Sequence, residues 1–179
     1  MQQQRKIAVL GASSFSGQDF VDLLLDDPTN HVIGTGRSPQ RGPEFCLWSG
    51  QDFGSRYRYI PIDMNHDMAG LLELLDAERP EWIVNFTALS EVAQSWENPD
   101  HWFQINCTAQ SRLINHLRSA TYLERYLHIS TPEVYGTCAG NVDEDTAFNP
   151  STPYAASKAA TDMLLKAYRD QFDFPVVTV

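Results

Sequence analysis

The chain has 179 residues, with 13 Lys and Arg against 23 Asp and Glu and a formal net charge of −10. At roughly 150 residues per domain the length predicts one domain, and 42% hydrophobic with 20% charged residues excludes a disordered chain. The acidic balance argues against nucleic-acid and anionic-membrane partners, which need a basic face, and no apolar run approaches the roughly 20 residues that span a bilayer. Met1-Gln2-Gln3-Gln4-Arg5-Lys6 leads straight into a strand-like run and does not read as a secretory signal. Cys46, Cys107 and Cys138 are odd in number, widely spaced and free of any Cys-x-x-Cys pair, so neither a disulfide framework nor a metal site is expected, and the expected location is a reducing cytoplasm.

Short β-branched runs alternate with longer amphipathic stretches. Ile7 to Leu10 predicts a buried strand, followed by Gly11 and a helix from about Phe15 to Leu25. His31 to Gly34 predicts a second strand, and the Gly-, Pro- and Ser-rich residues from Arg37 to Ser55 a long loop. Tyr57 to Ile62 predicts a third strand, with a helix from about Met68 to Ala77. Trp82 to Phe86 predicts a fourth strand, with a helix from about Pro99 to Ser119. Tyr126 to Ser130 predicts the fifth strand, then a polar loop to Thr152 and a helix over about Pro153 to Gln171. Val176 to Val179 begins a sixth strand. Such alternation predicts an α/β fold, a doubly wound parallel sheet in the order 3-2-1-4-5-6 with helices on both faces.

The turn after the first strand reads Gly11-Ala12-Ser13-Ser14-Phe15-Ser16-Gly17. Gly11 permits a tight exit from the strand, and Gly17 permits close packing of the helix. Backbone amides at the helix start would then face a pyrophosphate, helped by the helix dipole. Ser14 stands where a Gly-x-x-Gly-x-x-Gly loop has its middle glycine; its hydroxyl can bond a phosphate, or the loop is an ordinary strand–turn–helix corner. The second strand ends without Asp or Glu, in Gly34-Thr35-Gly36-Arg37-Ser38, with Arg41 nearby. A cation and a hydroxyl suit the 2′-phosphate of NADP better than the ribose of NAD, which stays possible; Arg37 as a solvated loop residue is the alternative. Asp63-Met64 reads either as the edge of an adenine site or, for Asp63, as a helix N-cap.

Tyr154 and Lys158 stand four residues apart and therefore share a helix face. A nearby ammonium favours the phenolate, which suits Tyr154 to exchange a proton with a sugar hydroxyl while Lys158 holds a nicotinamide ribose. At the carboxyl end of the fifth strand, Thr131 can hold the reacting oxygen, and Glu133 reads as a general base or as a solvated loop carboxylate. The run Asp143-Glu144-Asp145 reads as a solvated loop.

The glycine turn, Asn85-Phe86-Thr87-Ala88, Ser130-Thr131-Pro132-Glu133-Val134-Tyr135-Gly136 and Ser151-Thr152-Pro153-Tyr154-Ala155-Ala156-Ser157-Lys158 together resemble the extended short-chain dehydrogenase/reductase family. More narrowly they resemble its nucleotide-sugar epimerase/dehydratase branch, particularly the GDP-mannose and dTDP-glucose 4,6-dehydratases. The resemblance implies a tightly held NAD(P) with contacts from Gly11, Ser13, Ser14, Phe15, Gly17, Arg37, Ser38, Asp63, Met64, Phe86, Thr87, Ala88, Tyr154 and Lys158. It implies a nucleotide-sugar substrate contacted by Ser90, Thr131 and Glu133, and catalysis by Thr131, Glu133, Tyr154 and Lys158 through transient oxidation at C4, proton removal at C5, loss of water from C6 and hydride return. Epimerase, decarboxylase and non-catalytic cofactor-binding readings stay open.

Two departures bear on the reaction. The dehydratases carry Asp or Ser where this chain has Pro132, which has no proton to give, and a His where it has Glu91. Relatives continue past the sixth strand into a smaller substrate domain, so residues 1–179 are expected to be the dinucleotide-binding front part of a longer chain. Relatives also dimerise through two long helices, here those near 99–119 and 153–171; Trp102 and Phe103 fit that interface or the core equally.

Overall fold

The computed structural model describes residues 4–40, 42, 44, 46, 52–138 and 140–179. Six parallel strands form one sheet in the order β3-β2-β1-β4-β5-β6, as expected from the alternation. They are β1 (Arg5–Leu10), β2 (Asn30–Gly36), β3 (Tyr57–Pro61), β4 (Trp82–Asn85), β5 (Arg125–His128) and β6 (Val176–Thr178). Side chains alternate across a strand, so Ile7 and Val9 enter one core layer while Ala8 and Leu10 enter the other. Helix α1 (Phe15–Leu25) covers the first layer with Val21 and Leu25; α2 (Met68–Glu78) covers the second with Leu71 and Leu75.

Between β4 and β5 the chain forms a short helix α3 (Val92–Ser95) that its sequence did not announce, then one helical run where a single helix was expected. That run is α4 (Pro99–Phe103), a π-helical stretch (Gln104–Ala109) and α5 (Gln110–Leu117). The widened turn has a cause outside its own helix: the Thr161 hydroxyl donates to the Asn106 carbonyl, which then competes with the helix's own amides. Trp102 is buried within the chain, whereas Phe103 is exposed; on the choice left open between interface and core, Trp102 goes to the core. Helix α6 (Pro153–Phe172) packs on β5 and β6 and begins with the expected Pro at its first turn. Thr152 is its cap, accepting from the Ala155 amide at 3.0 Å.

Candidate active site at the carboxyl ends of the strands

Gly11 leaves β1 with φ +79°, a conformation that L side chains avoid. Its amide and that of Ala12 both donate to the Thr35 carbonyl, at 2.9 and 2.8 Å, which pins the turn to β2. A Cβ on Gly17 would overlap the Gly11 carbonyl oxygen and sit 2.7 Å from the Ser14 hydroxyl, so Gly17 packs against the turn itself. The Ser14 side chain caps α1, accepting from the Gly17 amide at 3.1 Å; its hydrogen stays available to donate to a ligand.

A crevice of about 410 Å³ opens above β1 to β4. Gly11, Ser13 and Ser14 line it from the turn, Arg37 and Ser38 from the end of β2, Asp63 and Met64 from the end of β3, and Phe86, Thr87, Ala88 and Ser90 from the end of β4. Phe15 and Gly17 lie beside it rather than in its wall; the Phe15 ring is 86% exposed. Arg41 falls outside the described residues. The Ser38 carbonyl is held by the Tyr59 hydroxyl at 2.7 Å. Asp63 is not the cap of α2: that cap is Asp67, which accepts from the Gly70 amide, while Asp63 holds the Asn65 amide and pairs with His66 at 2.9 Å. These bonds keep the Asp63 carboxyl below its ordinary range against a burial effect that works upward.

The wall after β4 is fixed from behind by buried amides absent from the sequence reading. Asn85 accepts from the Thr87 amide at 2.9 Å and donates to Gln110 and to the Tyr126 phenol oxygen, each at 2.7 Å. Asn106 holds the backbone of Leu89 and donates to the Ser157 hydroxyl at 3.1 Å. One signal for them existed. Asn106 and Gln110 stand four residues apart on the buried face of a helix that also presents Trp102 and Leu113.

After β5, Thr131 caps a 3-10 turn over Pro132–Tyr135, with Pro132 at its first position. Gly136 closes that turn at φ +68°; a Cβ there would strike the Asn149 carbonyl, and the Asn149 amide donates to the Val134 carbonyl at 2.9 Å. Thr131 and Glu133 are thereby fixed beside the start of α6, where both bear on the Tyr154 phenol.

One expectation fails here. The Tyr154 phenol is raised from its ordinary value, not lowered. Burial is the main cause; the negative charges of Glu133, Asp162 and Glu91 add to it, and the Thr131 hydroxyl only partly opposes them. The Lys158 ammonium is instead committed to β5: it donates to the Ile129 carbonyl at 2.6 Å and lies 3.3 Å from His128 Nε2. Burial lowers Lys158 to about 8, with Asp162 opposing. Asp162, unforeseen, sits one turn beyond Lys158 and accepts from the Ser130 hydroxyl. Extending the 154–158 spacing by one more turn reaches it.

Among the described residues, no group of three or more His, Cys, Asp or Glu could hold a metal ion, and no helix is long and apolar enough to cross a membrane. The family model for GDP-mannose 4,6 dehydratase matches residues 9–179. A dTDP-glucose 4,6-dehydratase of Xanthomonas campestris is 36% identical over 122 residues, 63% of this chain and 35% of that protein. A low-salt glycan biosynthesis protein of Haloferax volcanii is 31% identical over 172 residues, 96% of this chain and 54% of that protein. The chain thus spans about a third to a half of these relatives. The crystal structure of a UDP-glucuronic acid 4-epimerase from Bacillus cereus, in complex with UDP-glucuronic acid and NAD, superimposes with a TM-score of 0.83 at 26% identity, covering 97% of this chain and 55% of that one. On its own motifs and on the match over 9–179, the chain belongs to the GDP-mannose 4,6 dehydratase family, in the nucleotide-sugar epimerase/dehydratase branch of the extended short-chain dehydrogenases/reductases.

Proposed function

We propose that residues 1–179 are the dinucleotide-binding part of an NAD(P)-dependent nucleotide-sugar 4,6-dehydratase. The observation that carries this reading is the convergence of Thr131, Glu133 and Tyr154 at the end of β5, next to a crevice floored by Gly11. The chain fits a nicotinamide dinucleotide on its own geometry. Gly11 and Gly17 leave no room for side chains under the turn, and Ser13 and Ser14, which lead into the positive end of the α1 dipole, line the crevice. Gly11, Ser13 and Ser14 would hold the pyrophosphate, Asp63 and Met64 the adenine, Phe86 to Ala88 the nicotinamide half and Lys158 its ribose. Arg37 and Ser38, with no acid at the end of β2, support NADP over the NAD found in the Bacillus cereus enzyme.

Bound there, the nicotinamide supplies a reversible hydride acceptor for a sugar carbon and positive charge beside Tyr154. Tyr154 takes the proton of the sugar 4-hydroxyl, and Thr131 orients that oxygen. The C5 proton, acidified by the 4-keto group, passes to Glu133. Pro132 offers no acid, so Glu133 returns that proton to the departing 6-hydroxyl, which leaves as water; the held hydride would then return to C6 and a solvent proton to C5, giving the 4-keto-6-deoxy sugar. Ser90 contacts the sugar or its phosphate. Pro132 also favours a second reading, a 4-epimerase, in which Glu133 has no proton to move. Exposed Phe103 on α4 and Met163 on α6 support a homodimer through these helices. The test is incubation of the protein, with these residues joined to their substrate domain, with NADP or NAD and GDP- or dTDP-hexoses. A 4-keto-6-deoxy product supports the dehydratase, an inverted hexose the epimerase, and cofactor binding with no product from any sugar nucleotide refutes both.

A further inference from the structure

The corner behind Lys158 holds more polar chemistry than a lysine tether needs. Lys158, His128 and Asp162 are 2%, 1% and 7% exposed. His128 Nε2 stands between the other two, 3.3 Å from Lys158 Nζ and 3.4 Å from Asp162 Oδ1. A ring nitrogen serves only one of them. While Lys158 is an ammonium, Nε2 accepts from it and cannot donate to Asp162. Asp162 then keeps Oδ2 on the Ser130 hydroxyl and leaves Oδ1 buried with no hydrogen-bond partner, as is His128 Nδ1. A buried carboxylate oxygen without a donor is costly unless its charge is used at longer range.

The surroundings show what uses it. Burial strips water from the Lys158 ammonium, and Asp162 is the charge that works against this loss. Burial likewise holds His128 neutral. The other titratable groups here, Glu133 and Glu91, bear on Tyr154. On α4 and α5, Asp100, His101 and Arg112 are exposed, and His116 pairs with Asp76 at 3.0 Å. We propose that Asp162 is a positioning residue of the site: acting across His128, its carboxylate is the counter-charge that keeps the Lys158 ammonium charged and seated on the Ile129 carbonyl, where it can serve a nicotinamide ribose. The role of the ribose rests on the function proposed above; the counter-charge does not.

The chain has three lysines, Lys6, Lys158 and Lys166, so [ε-13C]lysine labelling yields three assignable NMR signals whose shifts report amine protonation. In the unaltered protein Lys158 is expected to titrate near 8. Asp162→Asn, which keeps the shape and removes the charge, is expected to lower that midpoint by about one pH unit or more. Ser130→Ala disturbs the same corner but spares the charge and is expected to leave the midpoint within about half a unit. An unchanged midpoint in Asp162→Asn, or an equal fall in Ser130→Ala, overturns the proposal. If Asp162→Asn does not fold, the unaltered protein decides. Uncompensated buried lysines titrate at about 5 to 6, so a midpoint below about 7 overturns the proposal, and one at or above it supports it. Adding NADP+ separates the two claims. A Lys158 signal that ignores bound NADP+ but shifts in Asp162→Asn refutes the ribose role and keeps the counter-charge; the reverse pattern refutes the counter-charge alone.

Discussion

Asn106 grips Leu89 at both ends of its amide: Oδ1 accepts from the Leu89 N–H at 2.8 Å, and Nδ2 donates to the Leu89 carbonyl at 2.9 Å. The same Nδ2 reaches Ser157, whose hydroxyl donates to the Tyr154 carbonyl at 2.7 Å. One side chain thus ties the crevice wall after β4 to the helix that carries Tyr154 and Lys158. Asn106→Ala strands the Leu89 backbone groups away from a partner, and each unsatisfied group costs about 1–3 kcal/mol. The expected result is a loss of about 2–5 kcal/mol in urea unfolding, with weaker dinucleotide binding in the protein that remains folded. Unfolding at the unaltered urea midpoint would show that the clamp carries no load.

Arg37 is the cation at the end of β2, where the two dinucleotides differ. A charge-assisted hydrogen bond to a 2′-phosphate contributes about 1.5–3 kcal/mol, roughly ten- to a hundredfold in affinity. Arg37→Ala is expected to weaken NADP by that factor and leave NAD within about twofold, read by calorimetric titration with each. Equal losses for both cofactors would remove Arg37 as the discriminating residue.

Tyr154→Phe and Glu133→Gln divide the proposed reaction at different steps. The first keeps the ring and removes the proton acceptor, so oxidation at C4 should fall at least about a hundredfold with cofactor affinity unchanged. The second should still oxidise C4 but stop exchange of the C5 proton with deuterated solvent, followed by mass spectrometry. Solvent exchange at the unaltered rate in Glu133→Gln assigns that proton to another base.

Stability should depend on pH in two windows. Lys158 loses its proton near 8 in the folded chain and near 10.5 unfolded, so between these values the unfolded state binds more protons and stability rises with pH. The rise is on the order of 3 kcal/mol for this group, and Lys158→Met should abolish it. The buried phenols of Tyr57, Tyr122 and Tyr126 act in the opposite sense, but only above pH 10, where the unfolded phenol ionises. His128 is lowered by burial, so its neutral form belongs to the fold, and stability falls as pH drops below 6.5. Denaturant midpoints from pH 5 to 10 measure both limbs; a flat profile from 8 to 10 contradicts the downward shift of Lys158.

Local periodicity carried the strands and helices, the turn at Gly11 and the Tyr154–Lys158 spacing, because each depends on residues within one or two turns of chain; the sheet order then followed from the handedness of the crossovers. It did not carry the direction of the Tyr154 phenol. Spacing places Lys158 on the same helix face as Tyr154, yet where the ammonium goes depends on the Ile129 carbonyl, 29 positions earlier. Asn106, His128 and Asp162 were missed for the same reason. Their partners lie 17 to 55 positions away, and the only local trace of them is helical spacing, Asn106 with Gln110 and Asp162 one turn beyond Lys158, which does not name a partner. The π-helical stretch is equally non-local, since its cause is Thr161.

The latch between Asn149 and Val134 has an evolutionary consequence. With Gly136 locked under the Asn149 carbonyl, the chain between them leaves and returns at one anchored point, so substitutions or insertions there can be accommodated without displacing Glu133. Under the proposed function, variation in that excursion would leave the Glu133 carboxylate in register with Tyr154.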